Sequence, residues 1–139
     1  MMNVNISSKS TDIAHEIVSV VSDKLGRDIV LLDLREVTGF TDYFVITTVD
    51  SARQMNALVE DVEIAVKTME CNVYKKEGTS NGGWMLLDLS DIVIHVFQEE
   101  TRSHYDIEKH GLKQKWWLGF RNPWLGSPLV LYNFIIFKE

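Results

Sequence analysis

Two apolar-rich runs, Trp84–Leu89 and Ile92–Phe97, are separated only by Ser90-Asp91. Two residues suffice for a tight reversal and for little else, so this stretch predicts a β-hairpin, although Gly is commoner than Ser at its first turn position. With Leu89 opposite Ile92, period-two alternation sorts the hairpin into two faces. Met85, Leu87, Leu89, Ile92, Ile94 and Val96 make one wholly aliphatic face that should lie against helices. Trp84, Leu86, Asp88, Val93, His95 and Phe97 make the other, a mixture of aromatic, charged and titratable groups that a helix-packed core rarely contains. That second face is a candidate partner surface, because Trp is enriched among binding hot spots. The alternative is a second small core or a dimer seam, with Asp88 and His95 paired with each other or with backbone.

Around the hairpin the periodicity alternates between helix and strand. Ile13, Ile17, Val20, Val21 and Leu25 recur at helical spacing, which predicts a helix over about 8–25 with Gly26 at its left-handed end. Asp28–Leu34 and Tyr43–Thr48 are aliphatic or β-branched runs typical of strands. A second helix opens at Asp50 or Ser51, with Gln54 completing a capping-box pattern. Its stripe is Met55, Leu58, Val59, Val62, Val66 and Met69, and it ends before Asn72. A short strand is expected at Asn72–Lys75, a loop at Glu77–Gly83 and a third helix at Glu99–His110. The order α-β-β-α-(β)-β-β-α implies an α/β (α+β) fold with a mixed sheet and helices packed mainly on one face.

At 139 residues and 45% apolar content the chain is long enough for one domain with a real hydrophobic core and too short for two comfortable domains. Its 14 basic against 20 acidic residues give a net charge of −6, which opposes direct phosphate-led binding to nucleic acid and favours encounter with a basic protein. Cys71 is the single cysteine, so neither an intramolecular disulfide nor a multi-cysteine zinc site is available. Met1–Asp12 is polar, with Lys9 as its cation, unlike a secretory signal or transit peptide, and the expected location is the cytoplasm.

The search for chemistry yields no positive signal. His15 and His95 fall in different predicted elements from each other and from His104 and His110, without HExxH or paired-cysteine spacing. Asp33, Asp42, Asp88 and Asp91 would suit metal-assisted phosphoryl transfer only beside a phosphate-cradling turn, and Gly82-Gly83 has neither the spacing nor a following helix. The acids read better as turn residues and solvated caps.

Several motifs taken in order resemble one family. Asp28–Leu34, the Thr41-Asp42-Tyr43-Phe44-Val45-Ile46 segment, Ser51-Ala52-Arg53-Gln54, Trp84–Asp91, Ile94–Phe97 and Tyr105–Glu108 together look like the ribosomal silencing factors, also called Iojap-related proteins, over about residues 10–110. The resemblance implies a nucleotidyltransferase-like fold without its active site, no catalytic residue, no metal and no cofactor. It also implies a homodimer that binds the large ribosomal subunit through its ribosomal protein number fourteen and sterically blocks joining of the small subunit. Carried onto this chain, the family's partner-binding positions are Trp84, Asp88 and Leu89, although alternation places Leu89 on the opposite hairpin face from the other two. Ser90 stands where the family usually has Gly.

The resemblance ends near His110. The expected division is a family domain at 1–112 and an extension of unknown role at 113–139, whose apolar run Leu129–Phe137 is far shorter than the ~20 residues of a membrane helix. Two other readings stay open: a nucleotidyltransferase-like enzyme with Mg-dependent activity, and a nucleic-acid adaptor, which the charge opposes.

Overall fold

A computed structural model describes residues 6–35, 41–108 and 136–138. The elements run α1 (Ile6–Asp23), β1 (Arg27–Asp33), β2 (Tyr43–Val49), α2 (Ala52–Thr68), β3 (Lys75–Thr79), β4 (Trp84–Asp88), β5 (Ile92–Gln98), α3 (Glu99–Tyr105) and β6 (Ile136–Lys138). They form one mixed sheet in the order β3-β4-β5-β2-β1-β6. β2 and β5 pair in parallel, and the other neighbours are antiparallel. The parallel pair requires a crossover, and α2 with the β3–β4 hairpin supplies it.

Two cores flank the sheet. On one face, Met85, Leu87, Leu89, Ile92, Ile94 and Val96 pack with Ile17 and Val21 of α1 and Met55, Leu58, Val62 and Val66 of α2. This is the aliphatic face expected from alternation. On the other face, Leu86, Val93 and Phe97 join Val30, Leu32, Phe44, Ile46 and Ile107, with Trp84 and Tyr105 packed against them. β2, near the middle of the sheet, is therefore buried at every position. An element covered on both faces reads as a continuous apolar run, as Tyr43–Ile46 does.

Helix ends account for most departures from the sequence-based boundaries. α1 closes in a Schellman arrangement in which the Leu25 N–H donates to Ser22 O (3.0 Å) and the Gly26 N–H to Val21 O (2.9 Å). The left-handed residue is Leu25 (φ 67°), not Gly26, so Leu25 leaves the helical stripe and stands 75% exposed. Gly26 is needed for a different reason: a Cβ there would lie 2.6 Å from both Thr47 Oγ1 and Val21 Cγ1. A side chain in the left-handed region costs about 1 kcal/mol that Gly avoids. Leu25→Gly is accordingly expected to raise the urea midpoint by the equivalent of about 1 kcal/mol, and an unchanged or lower midpoint contradicts this account of the helix end.

α2 starts as expected at Ser51, whose Oγ accepts from the Gln54 N–H (3.0 Å). The reciprocal bond is displaced by one residue, because Gln54 Oε1 accepts from the Asp50 N–H (2.8 Å). Gln54 Nε2 also donates to Leu25 O (3.1 Å), joining the start of α2 to the end of α1.

The third strand is Lys75–Thr79, later in the chain than the expected Asn72–Lys75, so part of the expected loop is strand. Gly78, which suggested irregular backbone, sits opposite Met85 with φ 84°, and a Cβ on it would lie 2.1 Å from Trp84 O. Its role is close strand approach rather than chain reversal. α3 stops at Tyr105, short of the expected His110, because Asp106 turns left-handed (φ 45°) and directs Ile107 into the second core. His110 itself lies outside the described residues, as does most of 113–139. Of that extension, Ile136–Lys138 pair with Leu32–Val30 at the sheet edge.

Candidate partner-binding surface

The β4–β5 hairpin has the expected register, with Asp88 opposite Val93 and Trp84 opposite Phe97. Leu89 faces Ile92 across the turn and donates its N–H to Ile92 O (2.8 Å). Ser90 takes φ 79°, the left-handed conformation that explains why Gly suits this turn.

The three residues carried over from the resemblance are on one hairpin but do not form one open patch. Trp84 lies at the end of β4 away from the turn and is half-buried. Its ring stacks on Phe97 (4.8 Å between centroids) and packs on Tyr105 (4.9 Å). Asp88, four residues along the same face, is 1% exposed, and its Oδ1 accepts the Ser90 N–H at 2.8 Å. Leu89 is on the helix-covered face at 6% exposed, as alternation required.

Leu89 borders a groove of about 690 Å³. Its walls come from the first turns of α1, the connection from α2 to β3 and the hairpin turn, with Ile13, Val73 and Ile92 as apolar lining and Tyr74 at its rim, 74% exposed. Cys71 also lines it, and burial pushes its thiol pKa up, away from the thiolate a nucleophile needs.

The second hairpin face is thus a second core, the alternative left open by the sequence, with Trp84 at its margin. Of its polar members, Asp88 pairs with backbone, as one version of that alternative had it, through the Ser90 N–H. His95 is fully buried, and its Nδ1 accepts the Trp84 indole N–H at 3.2 Å, while Phe44 meets its ring edge-on at 4.6 Å. Burial pushes the His95 pKa down from 6.5 to about 3, so the imidazole is neutral in the folded protein. The bond assigned at Nδ1 leaves the ring proton on Nε2.

Two further groups support this surface through long-range contacts that no spacing in the sequence signals. Arg102 forms a bidentate pair with Glu108 (2.8 and 3.0 Å) and donates through Nη1 to Asp28 O (2.7 Å) and Thr48 Oγ1 (2.8 Å). That ties α3 and the Tyr105–Glu108 segment to β1 and β2, and it gives each residue of the motif a structural role. Tyr105 packs on Trp84, Asp106 ends the helix, Ile107 fills the core and Glu108 holds Arg102. The second group is the Thr41-Asp42-Tyr43 segment, where the Asp42 and Tyr43 N–H groups both donate to Asp91 O at the hairpin turn (2.7 and 3.1 Å).

The acids considered for metal chemistry serve local roles. Asp33 binds Arg35, which holds its carboxyl below the usual range against an opposing effect of burial. Asp42 Oδ2 accepts from Ser10 Oγ at 2.8 Å. Among the described residues no three His, Cys, Asp or Glu side chains converge to hold a metal ion, and no helix is long and apolar enough to cross a membrane.

The family model described as "Ribosomal silencing factor during starvation" matches residues 7–110, a span that runs from the second residue of α1 to beyond the end of α3. The chain belongs to the ribosomal silencing factor family. It is 33% identical over 109 residues to the ribosomal silencing factor of Chromobacterium violaceum, an alignment covering 77% of this chain and 89% of that protein. A crystal structure of a protein from the same bacterium superposes with a TM-score of 0.67 at 33% identity, over 70% of this chain and 82% of that one. A mouse protein named for mitochondrial assembly of the ribosomal large subunit is 32% identical over 96 residues, 67% of this chain and 42% of its own length. The matched span ends within two residues of Glu108, the last contact that the silencing-factor motif makes with Arg102.

Proposed function

We propose that this protein binds the large ribosomal subunit through its ribosomal protein number fourteen and so prevents the small subunit from joining. The observation that carries the reading is the family match across all the elements that build the hairpin and its two supporting cores. The mechanism is steric: a bound folded domain occupies the space an intersubunit contact needs, and no cofactor takes part. The net charge of −6 favours approach to a basic ribosomal protein. The protein would act in the cytoplasm and as a homodimer.

Within this reading the hairpin is the ribosome-facing element. Trp84 offers the margin of an aromatic stack, Leu89 offers the apolar rim of the groove, and Asp88 joins the two through the turn. Purified protein added to joined ribosomes is expected to shift a sucrose-gradient profile toward free subunits and to sediment with isolated large subunits. An unchanged profile at saturating protein removes the proposal.

The working domain is proposed to end at Leu112. A chain stopping there loses three backbone pairs between β6 and β1 at the sheet edge. It is expected to fold and to bind the large subunit as the full chain does. Loss of either property in thermal melting or cosedimentation assigns 113–139 to the working structure.

A further inference from the structure

The Asp91 carbonyl at the hairpin turn receives three donors from one short segment: the Asp42 N–H (2.7 Å), the Tyr43 N–H (3.1 Å) and Thr41 Oγ1 (3.0 Å). Strand pairing requires only backbone donors, and a carbonyl has two lone pairs, so the hydroxyl is an addition that pairing does not explain. Thr41 is 3% exposed, and Asp91 O is nearer to its hydroxyl than Tyr43 O, which lies at 3.5 Å. The same segment is anchored beneath by α1, where Ser10, also 3% exposed, donates to Asp42 and Thr11 Oγ1 lies 2.6 Å from the Tyr43 hydroxyl.

The neighbour of the clamped carbonyl is Ser90, held at φ 79°, a conformation that a residue with a Cβ keeps only where its surroundings impose it. The Ser90 N–H is bonded to Asp88 Oδ1, and Leu89 is bonded to Ile92 across the same turn. A shift at Asp91 therefore moves Asp88 and Leu89 together.

We propose that Thr41 is a positioning residue for the partner surface: its hydroxyl, acting through the Asp91 carbonyl, holds the left-handed turn at Ser90 and so sets the placement of Asp88 and Leu89. The binding arm of the test rests on the ribosome-facing reading of the hairpin, and the exchange arm does not.

Amide hydrogen exchange and large-subunit affinity are measured on the full chain and on Thr41→Val, Thr41→Ser and Thr41→Val combined with Ser90→Gly. In Thr41→Val the Ser90 amide is expected to exchange roughly fivefold to tenfold faster, the factor one hydrogen bond supports, while Val62 in the interior of α2 keeps its rate. Affinity should fall by a similar factor, and Thr41→Ser, which keeps the hydroxyl, should restore both. Adding Ser90→Gly should shrink the losses, since Gly adopts the turn without strain.

Unchanged Ser90 exchange, or acceleration at Ser90 and Val62 alike, overturns the proposal, the latter by making Thr41 a general stabiliser. Local acceleration with full affinity overturns the link to the partner surface. If Thr41→Val alone does not fold, rescue by Ser90→Gly supports the clamp and failure of rescue overturns it. Absence of large-subunit binding by the unaltered chain removes the proposed function instead, and exchange still decides the clamp.

Discussion

Lowering the pH from 7 to 4 is expected to remove about 3 kcal/mol of stability through His95 alone. Burial holds its pKa at about 3 in the folded protein, against 6.5 in an unfolded chain. Between those values only the unfolded state takes up the proton. The contribution is fully present above about pH 6.5 and is lost as the pH falls, by about 1.4 kcal/mol per pH unit, until the folded imidazole also titrates near pH 3. The Trp84 N–H reinforces this, because an acceptor at Nδ1 must be unprotonated. Urea unfolding at pH 7 and pH 5, a range in which carboxylates contribute little, should show a drop of about 2 kcal/mol in the natural chain. His95→Gln, which cannot titrate, should be less stable at pH 7 yet show a markedly smaller drop. Equal pH dependence of the two proteins would mean that His95 is reached by protons in the folded state.

Trp84→Ala is expected to lower the melting temperature by roughly 10 °C, corresponding to about 2 to 3 kcal/mol for a half-buried indole in a domain of this size. The loss has identifiable parts: stacking on Phe97, packing against Tyr105, and the donor to His95. Trp84→Phe retains the ring contacts and removes the donor, so it should cost about 1 kcal/mol. The binding consequence is separable from the folding one when affinity is measured well below the mutant's melting point. If Trp84 also touches the partner, Trp84→Ala should weaken large-subunit binding by about thirtyfold or more with the protein still folded. A stability loss with undiminished binding assigns Trp84 wholly to the second core and leaves the groove beside Leu89 as the proposed contact.

The sequence by itself determined whatever depends on near neighbours along the chain. The hairpin register follows from a two-residue connection and strict alternation, and it holds from Trp84–Phe97 to Leu89–Ile92. The aliphatic face of β4 and β5 and the stripe of α2 are legible because a single period puts their residues on one side. The ordered motifs also sufficed to name the family, since each is a local string.

Only the tertiary structure decided what meets across distance. Whether the Trp84 and His95 face is open or covered depends on Ile107 and Tyr105 returning to it, and periodicity within a hairpin carries no information about a layer supplied from elsewhere. Arg102 joins residues 74 and 54 positions away, a pairing that no spacing rule encodes. Gly26 and Gly78 show the same limit from the other side. Composition reads both as chain breakers, yet each is required because another segment approaches within the space of one methyl group. Thr41 and Asp91 are fifty residues apart, and the bond between them exists only because parallel pairing of β2 with β5 brings the start of one strand beside the turn that opens the other.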